Sequence, residues 1–184
     1  MPNVAVRRRQ YYRIYKFLTD RGFNRVSVWG FKKGETPRYS SVTRDHYIGL
    51  GAGAGSHLPD GFYLNTFSVE EYTKKCLSGK FPVALYMKFT EEMQKYFWLY
   101  WRFYDTSIPK EGLSARFGSD DVKVKRLFSV MKNMNLIREN GSDYELTMGG
   151  SFWMHLLQNH FSLRYINKVW SVAMTDPYPQ EILL

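Results

Sequence analysis

Cysteine is almost absent: Cys76 is the only one in 184 residues. A lone thiol forms no internal disulfide framework and cannot by itself ligate an iron–sulfur cluster. A disulfide-stapled scaffold is therefore excluded, and a reducing, cytoplasmic setting is expected. Long apolar runs are missing too. Nothing approaches the roughly 18 consecutive apolar residues of a membrane span, and Met1-Pro2-Asn3 leads into no signal-peptide core, so no membrane partner is expected. Repeats and low-complexity tracts are also lacking. What is present, 44% hydrophobic and 17% aromatic residues, suffices to pack one medium domain, or a small domain joined to part of another.

The net charge of +9 raises the question of nucleic acid, and its position along the chain bears on the answer. Residues 1–57 carry 11 Lys and Arg against 3 Asp and Glu, residues 58–105 carry 6 and 6, and residues 106–184 carry 9 and 8. The excess is concentrated in the first third. The run Arg7-Arg8-Arg9 could attract phosphates or propionates, although a solvated helix face is the favoured reading of such a run.

Tyr11, Ile14, Tyr15 and Leu18 recur at helical spacing from Arg7 to Arg21, and Gly22 closes that helix. A short strand, Val26 to Phe31, is expected next, then a loop over residues 32–45 and a second strand, Tyr47 to Leu50, running into Gly49-Leu50-Gly51-Ala52-Gly53-Ala54-Gly55. Ser68 with Glu71 forms a capping box for a helix ended by Gly79. Another helix starts at Thr90, with Glu91 and Glu92 in its first turn. Beyond Thr106, Ser119 can cap a helix presenting Val124, Leu127, Phe128 and Met131 on one face. A hairpin about Asn140-Gly141 follows, and a last helix runs from about Met148 towards Val172. Helix, hairpin and helix in that order are winged-helix organisation.

Several groups could carry chemistry. Gly49-x-Gly51-x-x-Ala54 fits a loose dinucleotide fingerprint, but Gly55, Pro59 and Gly61 prevent the helix that such a site requires directly afterwards. The run is either a ligand-facing loop whose bare backbone lets a ligand approach, or a tight strand-to-loop bend without a ligand. His46 and His57 flank it and could reach the same ligand. His155 and His160, five apart, fall on different sides of a helix and form no metal pair. Residues 106–184 are nearly neutral, with Asp120, Asp121, Asp143 and Glu145 offsetting Lys123, Lys125, Arg126 and Lys132, so nucleic acid is not the expected partner.

The segment Tyr47-Ile48-Gly49-Leu50-Gly51-Ala52-Gly53-Ala54-Gly55-Ser56, followed by Asn65, Tyr72, Gly79 and Pro82, resembles the post-catalytic region of the oxygen-independent coproporphyrinogen III oxidases, which are radical-SAM enzymes. Phe117-Gly118, Leu136-Ile137, the hairpin, and Leu146-Thr147 with Gly149 or Gly150 resemble that family's C-terminal domain. Within the family, Tyr39-Ser40-Ser41-Val42-Thr43-Arg44-Asp45, Asn65-Thr66-Phe67-Ser68 and Pro82-x-Ala84-Leu85 look closest to the haem-utilisation branch.

The resemblance implies an α+β fold: the last βα units of a partial TIM-type barrel with the glycine-rich loop (1–57), a helical connector (58–105) and a winged-helix-like C-terminal domain (106–184). It implies a cofactor-binding role for Gly49, Gly51, Ala52 and Ala54, near S-adenosylmethionine or a tetrapyrrole, with Arg44, His46 and His57 beside the substrate. Gly55 departs from the family pattern, which has a larger apolar residue there. The parent family's cofactors are S-adenosylmethionine and a [4Fe–4S] cluster, but the Cys-x-x-x-Cys-x-x-Cys triplet that ligates the cluster is absent here, so radical chemistry by this chain alone is excluded. The chain is expected to be either a C-terminal fragment of such an enzyme or one whose N-terminal radical-SAM half is supplied separately, and the expected partners are haem or coproporphyrinogen and, in the second case, that half. A winged-helix module binding nucleic acid or protein, and a haem-binding or trafficking protein, are the alternatives.

Overall fold

A computed structural model describes residues 3–35 and 45–182. The chain divides into two compact units, Met1–Thr43 with Phe97–Leu157, and Arg44–Tyr96 with Gln158–Leu184. Neither is continuous in sequence, so the borders differ from the three consecutive segments expected. The reason is long-range pairing: the Val28 amide donates to the Tyr104 carbonyl at 2.9 Å, and Arg25 donates to Ser151 Oγ at 2.5 Å and to the Leu146 carbonyl at 2.7 Å.

The first unit opens with α1 (Val4–Thr19), whose N-terminus Asn3 caps by accepting from the Val6 amide at 2.9 Å. Tyr11 is the residue α1 buries, and its hydroxyl donates to the Val28 carbonyl at 2.7 Å. Gly22, at φ +77, ends the helical segment as expected. The single strand expected over Val26 to Phe31 is instead an antiparallel hairpin, β1 (Phe23–Arg25) with β2 (Phe31–Lys33). The Val26 and Ser27 amides both donate to the Gly30 carbonyl, and the Gly30 amide donates to Ser27 Oγ, so a serine and a glycine turn the chain where β-branched residues suggested extension.

Most of α3 (Glu91–Tyr104) belongs to this unit, followed by β6 (Ser107–Pro109), α4 (Lys110–Phe117), α5 (Val122–Asn133), β7 (Ile137–Asn140), β8 (Asp143–Leu146) and the greater part of α6 (Met148–Phe161). The sheet order is β6-β8-β7, antiparallel, and the hairpin turns at Gly141, φ +56. Asp121 caps α5, accepting from the Val124 amide at 3.0 Å, whereas Ser119 hydrogen-bonds to the Asp120 carboxylate. The cap therefore lies two residues later than expected. Val28, Trp98, Leu99, Ile108, Val124, Phe128, Ile137, Leu146 and Met154 form the core.

The second unit holds the antiparallel sheet β3-β4-β5, from β3 (Gly55–Leu58), β4 (Gly61–Asn65) and β5 (Val83–Lys88). Between β4 and β5 lies α2 (Val69–Leu77), where Ser68 accepts from the Glu71 amide at 3.2 Å as the capping box requires. Tyr47 pairs with His57 in an isolated bridge, in place of the strand expected through Leu50. After α6 a π-helical turn, Ser162–Ile166, leads into α7 (Asn167–Thr175).

Every strand pair among the described residues is antiparallel. Parallel pairing, the mark of barrel βα units, needs a crossover of about a dozen residues or more, whereas β1 to β2, β3 to β4 and β7 to β8 are each joined by a short turn. The barrel part of the expected fold class has no counterpart among these strands. No helix among the described residues is long and apolar enough to cross a membrane.

Two adjacent glycines at the start of α6 respond oppositely to the same change. A Cβ on Gly149 meets nothing closer than 3.6 Å, whereas one on Gly150 would run into the Leu136 carbonyl. We expect Gly149→Ala to stabilise the protein by about 0.5 kcal/mol, through reduced unfolded-chain entropy. Gly150→Ala should cost about 1–3 kcal/mol by overpacking. Urea denaturation of the two variants measures both.

Candidate functional site: the glycine-rich bend

The bend Gly49–Gly55 lies in the second unit, entering β3. Its glycines are required by geometry. Gly51 and Gly53 have φ +112 and +70, where side chains are rarely accommodated. A Cβ on Gly49 would collide with the Gly55 carbonyl, and one on Gly53 would lie 2.9 Å from the Phe67 ring. At Gly55 the Phe62 ring fills the space, and a Cβ would sit 2.6 Å from its Cζ.

The bend's amides point largely into the protein. Gly49 N donates to Ser56 Oγ at 3.0 Å, Gly51 N to the Tyr72 hydroxyl at 3.0 Å, Gly53 N to the Thr66 carbonyl at 2.8 Å and Ala54 N to the Gly51 carbonyl at 3.3 Å. Asn65 holds the opposite polarity, its Nδ2 donating to the Gly49 and Gly51 carbonyls at 3.3 and 3.0 Å. What the bend offers a ligand is therefore mainly side-chain-poor surface around half-buried Gly51, Ala52 and Ala54, with Leu50 projecting beside it, 86% exposed.

Of the flanking residues, His46 is exposed and His57 is buried, with ring centroids 5.4 Å apart, so the two are neighbours. Gln94 orients His57. Its Nε2 donates to the Leu58 and Pro59 carbonyls at 3.3 and 2.7 Å, leaving Oε1 to accept from His57 Nε2 at 2.9 Å. Phe89 packs against the same ring at 5.6 Å. Burial pushes the Tyr47 phenol above its usual 10.0, so it stays protonated at neutral pH. Arg44 lies outside the described residues. Gln94 was not singled out from sequence, and no local signal marks it, because it reaches His57 from 37 residues away.

The donor set does not suit a cluster. Among the described residues no group of three or more His, Cys, Asp and Glu side chains could hold a metal ion, and Cys76 is exposed on α2. For S-adenosylmethionine the bend supplies close-approach surface more than amide donors, since four of its N–H groups are already bonded within the chain.

His155, in the first unit, accepts from Trp29 Nε1 at Nδ1 (3.0 Å) and has Arg7 Nη2 3.0 Å from Nε2. Burial, and then the Arg7 charge, lower its pKa from the usual 6.5.

Two outcomes follow from these contacts. Asn65→Ala leaves two bend carbonyls without their donor and should cost about 1–3 kcal/mol, with faster amide exchange at Gly49–Ala54 as the site-specific readout. For His155, the unfolded chain takes up its proton first as pH falls. The contribution of the neutral ring is therefore intact above 6.5 and is lost as pH drops through the lowered native value. Urea midpoints between pH 7.5 and 5 should fall more for the natural protein than for His155→Gln.

No family model matches the sequence, and no curated protein matches it. Among solved structures, the chain is similar to the coproporphyrinogen III oxidase of Escherichia coli, described as a radical SAM enzyme. The match has a TM-score of 0.56 and 11% identity, covering 78% of this chain and 38% of that one. The chain thus spans well under half of the length of the enzyme it matches, and what the two share is the fold.

Proposed function

We propose that this chain serves tetrapyrrole metabolism as the portion of a coproporphyrinogen oxidase-like radical-SAM enzyme that lies outside the cluster-binding half. The observation that supports this is the fold likeness over 78% of the chain, joined to the residue pattern from Tyr47 to Pro82. In such an enzyme the cluster and S-adenosylmethionine supply the radical, and on this reading a separate half holds the cluster. The present chain contributes substrate-side surface: Gly49, Gly51, Ala52 and Ala54 let a flat macrocycle or the S-adenosylmethionine lie close to the backbone. Arg44 and His46 supply partners for propionates, and His57, held by Gln94, backs His46. A winged-helix-like domain completes the reading, and the residue pattern favours the haem-utilisation branch, whose chemistry is methyl transfer and ring opening in place of propionate decarboxylation.

Titration of the full chain with haemin and with coproporphyrin III, followed at the Soret band, tests it. One saturable site is expected. Ala52→Glu, which sets a carboxylate against the propionates, should weaken it about tenfold. Absence of a saturable shift, or binding indifferent to Ala52→Glu, overturns the reading.

A second reading has its own observation. The order α3, β6, α4, α5, β7, β8 with sheet order β6-β8-β7 suits a winged-helix module, and α5 with its C-terminal cap leaves Val122, Leu127, Val130 and Met134 exposed. Such a face suits a protein partner better than DNA. A duplex-DNA mobility shift that weakens steeply with salt would reverse that preference.

A further inference from the structure

Within the first unit, an open groove of about 790 Å³ runs between α1 and the first turns of α6. That volume lies in the range of about 300–1,000 Å³ typical of small-ligand sites. One wall is cationic, made by Arg8, Arg9, Arg13 and Lys16, and the floor is aromatic, made by Tyr12, Phe152 and Trp153. No Asp or Glu among the described residues lines it.

Several cations elsewhere in the unit have carboxylate partners. On α5, Lys125 pairs with Asp120 at 2.8 Å and Lys132 pairs with Glu139, whose carboxyl Lys110 and Lys132 together hold down at about 2. On α1, Lys16 pairs with Asp20 at 3.1 Å, but no carboxylate among the described residues pairs with Arg8, Arg9 or Arg13. Arg8 lies over the Tyr12 ring at 5.5 Å, its charge unneutralised. Arg9 and Arg13 stand one turn apart on the same face, with a rise of about 6 Å between them. Three arginines without carboxylate partners on the helix that forms one side of the groove favour an anion there.

The floor narrows the choice of anion. Trp153 is 53% exposed, while the neighbouring Phe152 is 1% exposed, with ring centroids 6.1 Å apart in an edge-on contact, so a buried ring flanks an indole that is open to solvent. A simple inorganic anion would make no use of these rings, and an aliphatic ligand would make none of the arginines. A planar base carrying phosphate uses both: the base stacks on an aromatic ring and the phosphate meets the cations, as in proteins that hold single strands.

We propose that this groove binds a nucleotide unit, its base against Trp153 and Tyr12 and its phosphate on Arg9 and Arg13. The unit comes either from a free nucleotide or from a single strand. The site belongs to the first unit and does not depend on the tetrapyrrole reading, which rests on the glycine-rich bend.

Fluorescence anisotropy of the full chain with a labelled oligothymidine of about 12 nucleotides, site size being about 4–16 nucleotides in comparable grooves, tests it. ATP and inorganic pyrophosphate serve as competitors. Saturable binding is expected, weakened about tenfold or more by Arg9→Glu with Arg13→Glu. Trp153→Ala should weaken oligothymidine and ATP about fivefold or more while leaving pyrophosphate unchanged. Lys123→Glu with Arg126→Glu on α5 should bind as the natural protein does. Displacement by ATP assigns a free nucleotide as the source, and resistance to ATP assigns a strand. No saturable binding, loss through the α5 pair in place of the α1 pair, or more effective displacement by a glutamate-rich peptide than by ATP overturns the proposal. If the double glutamate variant loses its helical circular dichroism, Arg13→Gln, which keeps the helix and removes one charge, carries the same comparison.

Discussion

Val28 has no exposure to solvent, and both of its backbone polar groups are claimed from a distance: its amide by the Tyr104 carbonyl and its carbonyl by the Tyr11 hydroxyl. A buried peptide group left without partners costs free energy comparable to a lost hydrogen bond, so α1 and the end of α3 are bound to the β1–β2 turn. Arg25 adds a second tie, from β1 to the end of β8 and to the buried Ser151 of α6. Residues 1–43 and 97–157 form one unit because these bonds can be made only across that gap.

The glycine-rich bend illustrates the same accounting on a smaller scale. Gly49 and Gly53 have no space for a side chain, Gly51 and Gly53 adopt conformations that side chains resist, and Ser56, Tyr72, Thr66 and Asn65 take up most of the polar backbone. The glycines are thus explained by packing and hydrogen bonding before any ligand is considered. A ligand would meet a preformed surface of low relief, which suits a flat molecule approaching closely more than an anion seeking amide donors.

Charge is distributed by a different rule. Around α5, β7 and β8, several cations sit opposite carboxylates: Lys110 and Lys132 on Glu139, Arg138 on Glu145 at 3.0 Å, and Lys125 on Asp120. Exposed pairs of this kind add little to stability but leave little field for an outside anion. Along α1 the arginines have no such partners among the described residues, and the field there is open to solvent.

Much of the local structure follows from the sequence because its causes are local. Ser68 and Glu71 specify the start of α2, Gly22 and Gly79 end their helical segments in left-handed geometry, and Asn140-Gly141 specifies the β7–β8 turn. Each needs only neighbours within a few residues, as does the net positive charge of the first third. The tertiary structure decided what local pattern could not. Val26 to Phe31 turns instead of extending, because Ser27 and Gly30 close on each other and Val28 is held from Tyr11 and Tyr104. It also decided that Gln94 meets His57, that the bend's amides face inward, and that Arg9 and Arg13 lie beside Trp153, roughly 140 residues away in sequence. Such contacts depend on which distant surfaces can be buried together with their polar groups satisfied, and a single stretch of sequence contains only one side of that match.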